Sequence, residues 1–327
     1  MRTLITRTVA ACIAAAALAW QPPAGAQDDY PTRQPIRLIV TFAPGGGADT
    51  IARSLNVALG EQLKQNVLVE NRPGAGGTIA TEYVAKSPPD GYTVLFTVSS
   101  HSINQALYPK LNFDTERDLR GVSLIGELPQ VLVANPQVPA DSLAALLKLA
   151  GDDAAYRSVA TGGAGSPGHF ALAMLQARTQ VPFVHVPYRG SGPAISDVVG
   201  NQVPLLLSTL SGTLPHIKSG KLKAIALTSP RRSPLLPDVP TIAESGLPGY
   251  NMDTWVGMFV PRATPDSVVD ALHAATRAAL RSPAVLERIR SQAGTIVNAD
   301  GRQLDERVHA EIIQFTDLVA RNGIRAE

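Results

Sequence analysis

The sequence predicts an α/β protein built from two similar lobes, and three observations carry the prediction. A strand, a glycine-rich turn and a helix follow one another over residues 35–63, and the same order returns over residues 156–177. Each unit then runs on through a second strand, an arginine-bearing turn, a helix and a third strand. The 27 Gly and 26 Pro supply the sharp turns such a chain needs. With 45% apolar and 17% charged residues, the composition is globular and excludes disordered and collagen-like classes. A length of 327 residues accommodates roughly two domains, each able to bury its own core.

Residues 1–26 read as a secretory signal. Arg2 and Arg7 make a basic start, residues 8–20 are apolar, and Ala24-Gly25-Ala26 is an A-x-A site, so cleavage is expected after Ala26. The apolar stretch falls short of the roughly 20 residues of a membrane span. Cys12 is the only cysteine and leaves with the signal, so the mature chain has no disulfide and no thiolate chemistry. Taking Arg2 and Arg7 from the 29 basic residues leaves 27 against 27 acidic ones. A nucleic-acid binder needs a basic footprint, and none remains.

Residues 35–42 have the β-branched, apolar density of a buried strand; a glycine turn (Gly45, Gly46, Gly47) and a helix over 50–63 follow. A second strand is expected at 66–70, a turn through Arg72 and Gly74 to Gly77, a helix to about residue 86 and a third strand at 92–98, in parallel β-α-β-α-β order. The second unit predicts strands at 156–160, 183–186 and 203–208, with helices at 170–177 and 194–199. Residues 122–133 and 222–228 read as two crossings between lobes, which implies a hinge. In the tail, Thr264-Pro265 and Ser282-Pro283 read as caps with proline at the first helical position, and Gly294 as a stop. Leu304, Val308, Ile312, Phe315 and Leu318 recur at helical spacing and are expected in the core.

Ligands of such lobes bind beyond the carboxyl ends of the strands, where the glycine turns lie. A turn without side chains lets backbone N–H groups approach an anion, and the following helix adds its positive end. Ser166-Pro167 is a good start for the second such helix. Neither turn is a nucleotide motif: the first has Ala48-Asp49 where Lys-Ser/Thr would stand. The second has G-x-G-x-x-G at Gly163, Gly165 and Gly168 but Val186-Pro187-Tyr188 where an acidic ribose partner belongs. A nucleophile elbow at Ser166 would lose an oxyanion donor to Pro167. A Ser166, His169 and Asp197 set is a combination any chain this long offers. The six histidines form no H-x-x-x-H pair, so no metal and no cofactor are expected. Asp49 and Asp197 either stabilise first-turn amides or face the cleft, the former reading being taken for Asp49. Arg72 and Arg189 either pair with a ligand carboxylate or staple the turns.

The chain resembles the periplasmic solute-binding receptors of tripartite tricarboxylate transporters, the Bug proteins, from about Tyr30 to the end. The resemblance rests on six ordered motifs. They are Pro35-Ile36-Arg37 with Gly45-Gly46-Gly47-Ala48-Asp49, Glu70 to Gly77 (ENRPGAGG), Pro89 to Thr93 (PDGYT), Gly165 to His169 (GSPGH), Pro187-Tyr188-Arg189-Gly190, and Asp238 to Gly246 (DVPTIAESG). It implies a two-lobed type II periplasmic-binding-protein (Venus flytrap) fold with an inter-lobe cleft and two crossovers, which closes over a small carboxylate and hands it to a separate membrane permease. It also implies that loop amides, hydroxyls and ordered waters hold the carboxylate. Carried onto this sequence, the binding positions are Phe42, Gly46, Gly47 and Asp49 in the first lobe and Thr161, Ala164, Gly165, Ser166 and His169 in the second. Ser99, Tyr188, Asp197 and Thr209 are assigned to the distal end of the ligand. Thr41 stands where the family usually has proline, and Asn201 where it often has glycine.

The expectation is therefore a periplasmic, monomeric, non-enzymatic receptor with lobes at 27–127 plus 228–327 and at 128–227. Its partners are a small organic carboxylate and an inner-membrane permease. The alternatives are a secreted hydrolase or transferase using the same cleft, and a sensory receptor docking on a signalling partner. The identity of the carboxylate is not written in the sequence.

Overall fold

A computed structural model describes residues 30–325 apart from 43, 45, 46, 109 and 189. The expected signal segment, Gly46 and Arg189 thus lie outside the described residues. The first sheet begins with β1 (Ile36–Val40), β2 (Val67–Asn71) and β3 (Thr93–Val98), which pair in parallel with β1 in the middle. The second sheet repeats this with β6 (Ser158–Thr161) between β7 (Val184–Pro187) and β8 (Leu205–Thr209).

Beyond that repeat both sheets depart from the parallel expectation. β10 (Thr254–Pro261) inserts antiparallel between β3 and β4 (Leu119–Leu128), and β11 (Thr295–Asp300) adds an edge on β4. In the second sheet β5 (Gln130–Ala134) lies antiparallel between β8 and β9 (Lys223–Leu227). β10 arrives only after the chain has left for the second lobe and returned, and β5 precedes the β6–β8 repeat, so a pattern read along one half contains neither. Only Pro129 separates β4 from β5, so the first crossing is a single residue wide.

Local signals place the helices that follow the turns. α1 (Gly47–Leu63) buries Ala48, Ile51, Ala52, Leu55, Ala58 and Leu59, a stripe at helical spacing against β1 and β3. It begins three residues before the expected start, glycine being a weak helix former that hides the first turn. α2 (Thr78–Ala85) follows a short 3-10 turn, and α3 (Ser100–Leu107) follows β3 directly. α4 (Thr115–Asp118) is capped by Asp114, and α5 (Leu143–Asp152) by Ser142. α6 (Pro167–Thr179) has the expected cap: Ser166 Oγ accepts the His169 N–H at 3.3 Å. α7 (Ser191–Val199) and α8 (Leu210–Lys218) complete the second lobe.

In the tail, α9 (Asp266–Ala279) starts one residue later than its cap motif implied. Pro265 is the N-cap, and Thr264 is buried with its hydroxyl unpartnered among the described residues. α10 (Pro283–Ser291) does begin after Ser282, although that side chain caps nothing, and Gly294 N–H closes the end on Ile289 O. α11 (Gly301–Asn322) opens on a capping box between Asp300 and Gln303.

α11 ties the lobes together. Leu304 and Val308 pack with Trp255 and Phe259 in the first lobe, whereas Phe315 and Leu318 join the second lobe's core, where Phe315 meets Phe170 edge-on at 5.2 Å. Ile103 and Leu107 of α3 enter that same core, as do Ile242, Tyr250 and Met252 from the segment after β9.

Candidate binding site

The parallel strands β1 and β6 each end at a glycine turn that leads into a helix. In the first lobe, the β1–α1 turn is held from behind by Asn71. Its Nδ2 donates to Phe42 O at 2.9 Å and to Asp49 Oδ1 at 2.8 Å, while Arg53 donates to Asp49 Oδ2 at 3.0 Å and to Asn71 Oδ1 at 2.8 Å. Asp49 is 1% exposed, so its carboxylate is a fastener inside the turn. The neighbouring β2–α2 turn carries Gly74, Gly76 and Gly77 at φ of 130°, 65° and 102°. A β-carbon on Gly77 would sit 3.0 Å from Thr41 Cβ, so glycine is what lets the two turns touch.

Arg72, one of the two arginines with open roles, lies 3.8 Å over the Tyr83 ring and 3.7 Å from Glu70. Glu70 is also gripped by Arg37 at 2.5 and 2.8 Å, and that contact holds its carboxyl below the usual range. Arg72 therefore serves the outer face of the turn. Ser99, at the end of β3, is buried with a hydroxyl that has no partner among the described residues. Gln292, which no sequence signal picked out, donates to Thr50 Oγ1 at 2.6 Å and covers the position of a Gly47 side chain.

In the second lobe, the β6–α6 turn satisfies most of its own amides. Gly163 N–H goes to Thr161 Oγ1 (3.2 Å), Gly165 N–H to His169 Nδ1 (3.2 Å), Ser166 N–H to Gly163 O (3.2 Å) and His169 N–H to Ser166 Oγ. Among the described residues, Gly162 and Ala164 are left with N–H groups that no internal acceptor takes. Ser166 Oγ only accepts in its cap, so its proton is available for a further bond. Gly165 lies against α3: a β-carbon there would be 2.9 Å from Leu107 Cδ2, where the two lobes meet.

The His169 ring stacks on His185 at 3.8 Å with 8° between the planes. Burial, together for His185 with the charge His169 would carry, lowers the two to about 4 and about 3, so both are neutral near pH 7. The imidazole is on a loop amide rather than on the Ser166 hydroxyl, so the residues of the Ser-His-Asp combination are not brought together as a relay. Asp197 lies in the second half of α7, not in its first turn, and accepts the Tyr188 hydroxyl at 2.6 Å; burial, then that contact, pushes the phenol up to about 12. Thr209 is the N-cap of α8, with Ser211 Oγ at 3.5 Å. Among the described residues no group of three or more His, Cys, Asp and Glu is placed to hold a metal ion.

Two matching sheets, each with a 2-1-3 parallel core and an antiparallel insert, joined at a narrow crossing, define a two-lobed periplasmic binding protein of type II. Comparison with known proteins names the particular family. Residues 51–324 match the model for the tripartite tricarboxylate transporter family receptor, TctC, and the chain belongs to that family of solute-binding receptors. It is 37% identical over 300 residues to protein BugT of Bordetella pertussis, covering 91% of this chain and 92% of that protein. The structure of the periplasmic binding protein BugD superposes with a TM-score of 0.78 at 33% identity, over 90% of this chain and 99% of the other. Rpa4515 of R. palustris, solved with adipate, gives 0.80 at 32% identity, over 91% and 99%.

Proposed function

We propose that the mature chain, cleaved after Ala26, is a monomeric periplasmic receptor that captures a small organic carboxylate between its lobes and delivers it to a tripartite tricarboxylate-type permease of the inner membrane. The observation that carries this is the β6–α6 turn. Gly162 N–H, Ala164 N–H and the Ser166 hydroxyl proton are unengaged, and they stand at the N-terminus of a 13-residue helix, where anions are favoured. Gly162 is thereby added to Thr161, Ala164, Gly165 and Ser166 as a residue of the second lobe's anchor, with Thr161 and Gly165 shaping the turn. Phe42, Gly46 and Gly47 offer the opposing wall, and Asp49 fixes it. Ser99, Tyr188 and Thr209 lie at the strand ends that would meet the distal end of the ligand, with Asp197 orienting Tyr188. Adipate, a dicarboxylate, in the related Rpa4515 supports this class of ligand.

The lobes are drawn at 27–127 plus 228–327 and at 128–227; the first boundary falls beside the Pro129 crossing, whereas the segment after β9 stays on the second core before the chain enters β10. Within that division, 236–252 and the end of α11 serve as straps on the second core. A receptor is favoured over a hydrolase because the His169 imidazole holds Gly165 and leaves Ser166 without a general base. A thermal-shift screen of residues 27–327 against carboxylates and their neutral amides tests the proposal. Stabilisation by an acid and not by its amide, without turnover, is expected. Turnover, or no response to any acid, would sink it.

A further inference from the structure

On the flank of the second lobe, behind the glycine turn, lies a cavity of about 350 Å³. Ala164 of the glycine turn lines it with His169, Ala173 and Gln176, one stripe of α6; His185 of β7 is stacked on His169, and Gly323, Ile324 and Arg325 close it from the end of α11. None of its described lining residues is acidic.

The proton positions on the two stacked imidazoles follow from their bonds to the turn. Gly165 N–H can only donate, so His169 Nδ1 accepts and the proton of the neutral ring sits on Nε2. The Thr161 hydroxyl has two acceptors in reach, His185 Nε2 at 2.7 Å and Gly163 O at 3.4 Å. The nearer one takes its proton, which leaves the His185 proton on Nδ1. The two nitrogens of an imidazole point in divergent directions, so on each ring the N–H left over is directed away from the turn. Neither has a hydrogen-bond acceptor among the described residues. Burial keeps both rings neutral, and Arg325 is the one cation among the described lining residues.

We propose that this flank cavity is a second binding site, for a small oxyanion, which His169 Nε2–H, His185 Nδ1–H and the Arg325 guanidinium hold together. The site borders the cleft anchor at Ala164 and shares its framework, because the same two rings carry Thr161 and Gly165 on their other nitrogens. An occupant of the cavity therefore acts on rings that set the shape of the cleft anchor. Carboxylate and phosphate share the required chemistry, and the probes separate them.

The test is histidine-detected NMR on the full mature chain with ring-¹⁵N histidine, titrated at neutral pH with acetate and, separately, with inorganic phosphate. Saturable shifts of the His169 Nε2 and His185 Nδ1 resonances are expected with one or both, and the tighter-binding probe names the oxyanion. Arg325→Ala should raise the dissociation constant roughly tenfold, the value of one charge-assisted hydrogen bond. Ala173→Leu should abolish the response by filling the cavity. If the leucine variant does not fold, the exposed Arg325→Ala decides alone. Shifts that rise linearly without saturation, or a saturable response unchanged in Arg325→Ala, would overturn the proposal. Arg325 lies outside the proposed cleft anchor, so a thermal response to carboxylates that persists in Arg325→Ala reports the cleft, whereas loss of the histidine response in the same variant reports the flank cavity.

Discussion

Asp253 gives the sharpest quantitative prediction. It sits on the second crossing, directly before β10, is 6% exposed, and its Oδ1 has no hydrogen-bond partner among the described residues. Three other charged groups act on it: Glu127 from the end of β4, Arg307 from α11 and Arg231 from the loop after β9. Arg307 is already taken up by Glu127 and by Glu311 at 3.0 Å. Burial, followed by the like charge of Glu127, pushes the Asp253 carboxyl from 3.8 up to about 7. Because the folded value lies above the unfolded one, the unfolded chain releases this proton first as pH rises. Stability therefore falls from about pH 4 upward and the loss is complete above about pH 7; three pKa units correspond to about 4 kcal/mol. Asp253→Asn removes that charge and offers Glu127 a donor. Urea unfolding of both proteins in acid and in mild alkali should show near-equal stability at about pH 4 and a gain approaching 4 kcal/mol for the variant at about pH 8. A difference that is the same at both pH values would refute the reasoning, because it would mean that Asp253 keeps its charge in the fold at no penalty.

Four further outcomes follow from single residues. Ser166→Ala should lower stability by about 1 kcal/mol through loss of the α6 cap, and weaken carboxylate binding by a similar amount, read by urea unfolding and calorimetry. Phe315→Ala should cost about 3–5 kcal/mol, since the ring is buried and joins α11 to Phe170 of the opposite lobe. His101 is buried beside Phe259 at 4.4 Å with both ring nitrogens unpartnered among the described residues, and burial lowers it to about 3. A folded value below the unfolded one means that stability is lost as pH falls from about 6.5 toward about 3, so His101→Leu should flatten the acid side of a stability–pH curve. Gly47→Ala meets only the movable end of Gln292, so its melting temperature should hold within a few degrees. Its carboxylate affinity should drop if the backbone there approaches the ligand, and unchanged affinity would move the first-lobe anchor away from Gly47.

Much of each half was legible because its signals are local. The strand at 36–40, the stripe of α1 from Ala48 to Leu59 and the Ser166 cap each depend on residues within a few positions of one another. The recurrence from Leu304 to Leu318 marked a core helix for the same reason. α3 was not legible: Ser-His-Ser-Ile-Asn-Gln reads as a polar stretch, yet nearly all of it is buried between the lobes. The seats of β5 and β10 were equally hidden, because β5 inserts between strands about 70 to 90 residues further along the chain and β10 between strands laid down before the chain left for the second lobe. Thr264-Pro265 misled by one position, since serine and threonine caps compete with tertiary burial of the same hydroxyl.

The two-lobed α/β repeat, the glycine turns at the strand ends and the motifs that mark the receptor family are readable from the residues alone, because periodicity, turn chemistry and motif order are properties of short segments. Which donors of those turns stay free depends on contacts made in the folded chain. Asp49 is closed off by Asn71 and Arg53 from another strand and turn of the helix, Gly165 N–H is taken by an imidazole that stacks on His185, and Gly162 and Ala164 are left over. A hydrogen bond is decided by ångström-scale distance between groups that the chain brings together from far apart, and spacing along the sequence does not encode that distance.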